Sequence, residues 1–194
     1  MGFGGFAPKK GFPPKTPYKT FVLLYQEQPM GQFAARVGDP VAHPLPPILT
    51  GGPGSLNVLI GGKPAWRGIM AAAAMGIQSA KQASDAAIKT AEAATVAASG
   101  TPGAPAAKTA EETTKATAAT TMGSMITASA AGADIHQCAT PLPIPPHGPG
   151  VVIDGSKTVL INNLPACFMG NTIVEAVGPP NKITMGCPTV LIGS

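Results

Sequence analysis

Val58-Leu59-Ile60, Val159-Leu160-Ile161 and Val190-Leu191-Ile192 are three copies of one tripeptide in a chain of 194 residues. Each copy is β-branched at both ends, as short strands prefer, and each is followed at once by Gly or Asn. The first copy continues as Gly61-Gly62-Lys63-Pro64-Ala65 and the second as Asn162-Asn163-Leu164-Pro165-Ala166, whereas the third runs into Gly193-Ser194. An internal repeat of this kind organises a whole fold. Its spacing is uneven: 101 residues from Val58 to Val159, and 31 from Val159 to Val190. If 31 is the period, about 70 residues are inserted between the first two copies.

Composition agrees with short strands cut by tight turns. The chain holds 24 Gly and 22 Pro, yet 44% of its residues are hydrophobic and only 11% are charged. Disorder favours the opposite balance, so Gly and Pro read as turn formers. Aromatic residues make up 5%, which leaves a thin aliphatic core. A core of that kind calls for a staple such as a metal, a disulfide or a partner. Three cysteines, an odd number, and a Lys- and Pro-rich start with no apolar h-region argue against a secreted disulfide framework. The net charge of +4 is dispersed, and without an aromatic-interleaved basic patch no nucleic-acid partner is expected. No apolar run reaches the length of a membrane span.

Four segments follow. Residues 1–33 are an N-terminal extension with one predicted strand, Thr20 to Tyr25. Residues 34–67 carry turns and the first Val-Leu-Ile strand. From 68 to 131 the composition changes to Ala and Thr, and Ala is the strongest helix former. Helices are predicted from Ile69 to Ser99 and from Ala104 to Ala131, broken by Gly100-Thr101-Pro102-Gly103. Met70, Ile77, Ser84, Ile88 and Ala91 of the first run, with Met122, Met125 and Ile126 of the second, form the predicted packing stripe. Lys108 and Glu111-Glu112 are spaced for helix-face ion pairs. Residues 132–194 return to turns and strands. The hairpin has the length of the surplus in the repeat.

All three histidines, His43, His136 and His147, lie in turn-rich segments upstream of a Val-Leu-Ile strand, and Cys187 immediately precedes the third. Three imidazoles and a thiolate complete a tetrahedral zinc shell, and a full shell marks a structural site. Cys138, two residues beyond His136, competes with that histidine as the ligand. Cys167 reads as a small buried apolar residue. No HExxH, GxSxG or P-loop motif is present, so no enzyme is expected.

The chain resembles the PAAR-repeat proteins, spike-tip proteins of contractile injection systems such as type VI secretion and phage-tail-like machines. The resemblance rests on Ala34-Ala35-Arg36-Val37-Gly38-Asp39-Pro40…His43, on Gly61-Gly62-Lys63-Pro64-Ala65-Trp66-Arg67 and on Asp134-Ile135-His136-Gln137-Cys138. It continues through Pro145-Pro146-His147-Gly148, Ser156-Lys157-Thr158-Val159-Leu160-Ile161-Asn162 and Cys187-Pro188-Thr189-Val190-Leu191-Ile192-Gly193. It covers about half the chain. The Pro-Ala-Ala-Arg motif itself stands here as Pro64-Ala65-Trp66-Arg67 and Pro165-Ala166-Cys167-Phe168.

The resemblance implies a mainly β fold, a conical PAAR-type domain of short strands, interrupted by the Ala-rich helical hairpin. It implies a structural zinc held by His43, His136, His147 and Cys187. The expected role is mechanical: capping a trimeric β-helical spike of the VgrG type, one tip per trimer, for membrane puncture. An adaptor coupling an effector or baseplate protein through the hairpin or residues 1–33 is the alternative. Such a protein is cytoplasmic before firing, touches the target membrane transiently, and is then delivered outside or into the target cell.

Overall fold

A computed structural model of the chain describes residues 1–2, 31–141 and 146–193. The predicted strand at 20–25 lies outside them. The elements are β1 (Gln32–Ala34), β2 (Gly51–Gly52), β3 (Leu59–Ile60), β4 (Lys63–Pro64), α1 (Ala71–Ala97) and α2 (Ala104–Ser129). They continue as β5 (Ile135–Pro141), β6 (Pro146–Val152), β7 (Leu160–Ile161), β8 (Leu164–Pro165), β9 (Thr172–Glu175), β10 (Asn181–Lys182) and β11 (Cys187–Ile192). Among the described residues all strand pairings are antiparallel, in one five-stranded sheet of order β10-β9-β6-β5-β2 and three two-stranded ribbons, β1-β11, β3-β4 and β7-β8. A β-built body carrying a helical hairpin is therefore the architecture.

The tripeptide repeat becomes the three ribbons. In two of them Val-Leu-Ile turns back through Gly61-Gly62 (φ +55° and +79°) or Asn162-Asn163 (φ +53° and +62°). Two successive left-handed residues suit the type I′ turn whose twist matches paired strands. The third ribbon has no such turn. There β11 pairs with β1 from the far end of the chain, with Leu191 opposite Phe33 and Ile192 opposite Gln32, as Leu59 faces Pro64 and Ile60 faces Lys63. In all three the isoleucine is buried, while Leu59, Leu160 and Leu191 remain 61%, 53% and 59% exposed. Ile60, Ile161 and Ile192 pack together with Ala34, Ala65 and Ala166.

Beside that cluster the three units join through a closed ring of backbone hydrogen bonds. Ala35 N–H donates to Cys167 O at 2.8 Å, Cys167 N–H to Trp66 O at 3.0 Å, and Trp66 N–H to Ala35 O at 2.9 Å. Each unit gives one donor and one acceptor, which is the arrangement around an approximate threefold axis. Cys167 is fully buried there, and burial pushes its thiol pKa up, in keeping with its reading as a small core residue.

The same register explains where the hairpin enters. Arg36 N–H donates to the Asp39 carboxylate at 2.8 Å, and Phe168 N–H to Asn171 Oδ1 at 2.7 Å. Each pair encloses a two-residue turn, Val37-Gly38 or Met169-Gly170. In the remaining unit Arg67 N–H donates to Asp134 Oδ2 at 2.7 Å, and residues 68–133 lie between them. The hairpin stands in place of one turn. Asp134 also accepts from Arg67 Nε at 3.0 Å, Arg67 Nη2 at 2.8 Å and Gly54 N–H at 2.8 Å, so the junction is a fully bonded buried ion pair.

Both helices form within a few residues of their predicted ends. Ile77, Met122 and Ile126 of the predicted stripe are buried, and they pack on Val151 and Val174 of the sheet. Met70 and Met125 are exposed instead. Lys81 takes a buried place on α1, bonded to Asp85 and donating to Gly178 O at 2.8 Å. Lys108 pairs with Glu111 at 3.1 Å, as the spacing predicts. Lys115 bridges Glu111 and Glu92 of the opposite helix at 2.7 Å each, and it is the chief cause holding the Glu111 carboxyl down to about 2. Thr90, Thr95, Thr109, Thr113, Thr114, Thr120 and Thr127 each donate their hydroxyl to the carbonyl four residues back. The hydroxyls thus bond within their own helices, and helix formation itself rests on the alanine content. Among the described residues no helix is long and apolar enough to cross a membrane.

Candidate metal centre

Strands β6 and β9 lead away from the ring. Val152 pairs with Ile173, Val151 with Val174, and Gly150 with Glu175. On the other side of β6, Gly150 faces His136 of β5. His136, Gly150 and Glu175 thus form one row across three strands. A Cβ on Gly150 would lie 2.8 Å from Glu175 Cγ and 3.0 Å from Ile173 Cγ2. The missing side chain leaves the space across which the Glu175 carboxylate leans toward His136. Because side chains alternate along a strand, Cys138 shares the buried face of β5 with His136.

His43 arrives from the loop between Pro40 and Ile48, which are bridged to each other, with Val41 bridged to Ile183. Its Nε2 lies 2.7 Å from His136 Nε2 and 3.2 Å from Glu175 Oε1, and His136 Nε2 is 3.8 Å from the same oxygen. Cys138 Sγ completes the group. One ligand atom from each of His43, His136, Cys138 and Glu175 falls within 4.8 Å of all the others, and all four residues are buried. His147, on β6, holds the opposite carboxylate oxygen, with Nδ1 2.6 Å from Glu175 Oε2. Asn181 ties the loop to the sheet: its Oδ1 accepts Ala42 N–H at 3.0 Å while its Nδ2 donates to Glu175 Oε1 at 3.4 Å. Thr50 N–H lies 3.4 Å from His136 Nδ1.

The two imidazoles are in the right protonation state for a cation. Burial lowers the His43 pKa, and burial with the neighbouring His43 lowers that of His136 to about 4. Both rings are therefore neutral at pH 7, with lone pairs to offer. Burial raises the Cys138 pKa, and a bound metal would displace that thiol proton. A cation among these atoms would also compensate a carboxylate that has no contact with water. Nitrogen, sulfur and one oxygen suit a borderline-soft metal and not magnesium or calcium, which take oxygen shells. The cluster could hold a metal ion.

Of the residues expected from sequence, His43 and His136 meet directly, and His147 joins through Glu175. Cys187 does not join them. Its Sγ is 3.2 Å from Thr189 Oγ1, and it packs in the ribbon cluster beside Ile60 and Ile192. The reason lies in the repeat: three residues before each Val-Leu-Ile stand Ser55, Ser156 and Cys187. Ser55 Oγ accepts Val58 N–H and Ser156 Oγ accepts Val159 N–H, both at 3.0 Å. Cys187 occupies the third of these turn positions. The thiol at the cluster is Cys138, which stands there together with His136 and not in its place. Glu175 carried no sequence signal, because its role depends on β9 pairing with β6. Comparison with family models, curated proteins and solved structures finds no match to this chain.

Proposed function

We propose that this protein is the tip of a spike, a PAAR-type cap that seats one chain on a threefold partner and stiffens its far end with a structural zinc. The observation that carries this reading is the ring of Ala35, Trp66 and Cys167, each donating to one neighbour and accepting from the other. It gives a single chain three equivalent ribbons. Leu59, Leu160 and Leu191 present one exposed apolar side chain from each. A trimeric β-helical spike ends in three equivalent strands with unpaired edges, and unpaired edges are what a cap must cover. One tip per trimer satisfies that symmetry without a trimeric tip.

The metal belongs to the same reading. The body has few aromatic residues, and the donors close around the metal position with no free position required for substrate, as in structural zinc sites. The protein acts mechanically and not as an enzyme, assembled in the cytoplasm and delivered on firing.

The test is assembly with a VgrG-type trimer. Native mass spectrometry should find one tip on three spike chains, and Leu59→Asp, Leu160→Asp and Leu191→Asp should each weaken assembly while leaving the melting temperature unchanged. Any other stoichiometry, or assembly indifferent to all three substitutions, refutes the cap. The adaptor reading has one observation in its favour: the hairpin replaces only one of three equivalent turns, so it adds nothing to the threefold pattern. It also carries a groove of about 480 Å³ between its helices, lined by Ala83, Ala87, Thr117, Ala118, Met122 and Met125. Replacing residues 68–133 with Val-Gly should then preserve assembly on the spike and abolish cargo delivery.

A further inference from the structure

We infer that Glu175 is the fourth ligand of the metal and that His147 is a positioning residue acting through it. This deepens the zinc reading above and rests on it. The two groups compete for one role, since a histidine and a carboxylate in contact can serve as ligand and outer partner in either order. Usually the carboxylate stands outside and orients the imidazole. Here the distances favour the reverse.

Glu175 turns its two oxygens to different tasks. Oε1 faces the Nε2 atoms of His43 and His136, at 3.2 Å and 3.8 Å. Oε2 faces away and is held by His147 Nδ1 at 2.6 Å. The compact group of donor atoms includes Glu175 with His43, His136 and Cys138. The His147 ring is set farther back: its centroid is 6.4 Å from that of His43, against 4.9 Å between His43 and His136. A short bond to one oxygen fixes the carboxylate rotation, so the other oxygen is directed at the metal position. Gly150 is the second positioning element. It has no Cβ to collide with Glu175 Cγ, and that space lets a side chain on β9 cross β6 to reach one on β5.

The donor set is then two imidazoles, one thiolate and one carboxylate oxygen. X-ray absorption on the zinc-loaded full-length chain should count two imidazoles and one sulfur. Three imidazoles overturn the assignment and leave the zinc reading intact. No zinc retained by the wild-type chain after dialysis overturns both. Variants give an independent measure through zinc affinity and the absorption bands of the cobalt-loaded protein. Glu175→Gln and Gly150→Ala should each lower affinity by about tenfold to a hundredfold and shift the cobalt bands, on the scale known for outer partners and above. His147→Gln, which can still donate to Oε2, should stay within a few-fold of wild type, whereas His147→Ala should lose about tenfold to a hundredfold without changing the imidazole count. An imidazole count that falls in His147→Ala, or affinity untouched in Glu175→Gln, defeats the assignment.

Discussion

The turn from Arg36 to Asp39 and the junction of Arg67 with Asp134 are bonded alike, yet one encloses two residues and the other a pair of long helices. In each, an arginine amide donates to the aspartate and the guanidinium closes on the same carboxylate. The same two-residue anchor therefore accepts a short turn or a long hairpin, and the hairpin adds its own packing on the sheet through Ile77, Met122 and Ile126. Chain physics permits this, because closing a loop grows costlier by only about 0.6 kcal/mol per doubling of its length. The two sites differ in burial. Asp134 is wholly buried, against 4% side-chain exposure for Asp39, and carries a second backbone bond from Gly54, while the two arginines are nearly alike at 11% and 15%.

Removing the buried anchor should break this comparison most severely. Asp134→Ala leaves the Arg67 charge without its partner, so denaturant midpoints should report a loss of about 3–5 kcal/mol. A loss below about 1 kcal/mol would mean that the hairpin root is held by packing alone.

Acid should act on the body and spare the hairpin, since all three histidines lie outside the hairpin. In metal-free protein the unfolded chain takes up a proton on His136 near 6.5, and the folded chain holds it off until about 4. The unfolded state thus binds more protons in that window. Stability should fall as pH drops through it, by about 1.4 kcal/mol per pH unit for His136 alone, with His43 adding in the same direction. Urea titrations at pH 7, 6, 5 and 4 check the slope. A flat profile contradicts the buried neutral rings, and zinc should displace the window to lower pH.

Asp39→Ala tests the same anchor where the carboxylate accepts one backbone amide and not two. It strands the Arg36 amide and leaves the Gly54 bond at the other anchor untouched, so a smaller loss of about 1–3 kcal/mol is expected. Equal losses at Asp39 and Asp134 would show that the second backbone bond is not what separates the two sites. The smallest effect belongs to the hairpin surface. Thr109 is exposed and its hydroxyl bonds only to its own helix, so Thr109→Ala should change the melting free energy by no more than about 0.5 kcal/mol. A larger change would place that face in a contact that the isolated chain does not make.

Much of this comparison is legible in the sequence, and particular residues show why. Val-Leu-Ile with Gly-Gly or Asn-Asn carries both a strand and its turn within seven residues, so local chemistry suffices. The helix ends are local too, written by alanine and by the Gly-Thr-Pro-Gly break. Ser55, Ser156 and Cys187 also align on the repeat, a turn signal that the expectation of Cys187 as a ligand passes over. His43 and His136 could be named as donors, since few residue types ligate zinc. Glu175 could not, because one acidic residue in an apolar strand resembles any other until its neighbours are known.

Sequence alone thus determined the three Val-Leu-Ile strands as a repeat, the hairpin with its approximate bounds, and two of the histidines in a buried cluster that could hold a metal ion. These are properties of short windows, where turn geometry, helix propensity and ligand chemistry act on adjacent residues. Tertiary structure decided the rest: that β1 and β11 close the third ribbon from opposite ends of the chain, and that Asp134 anchors the hairpin in place of a two-residue turn. It also decided that Cys138 and Glu175 meet the histidines. Each of these depends on which strands lie side by side, and pairing between distant segments is fixed by the packing of the whole body and not by any one stretch of chain.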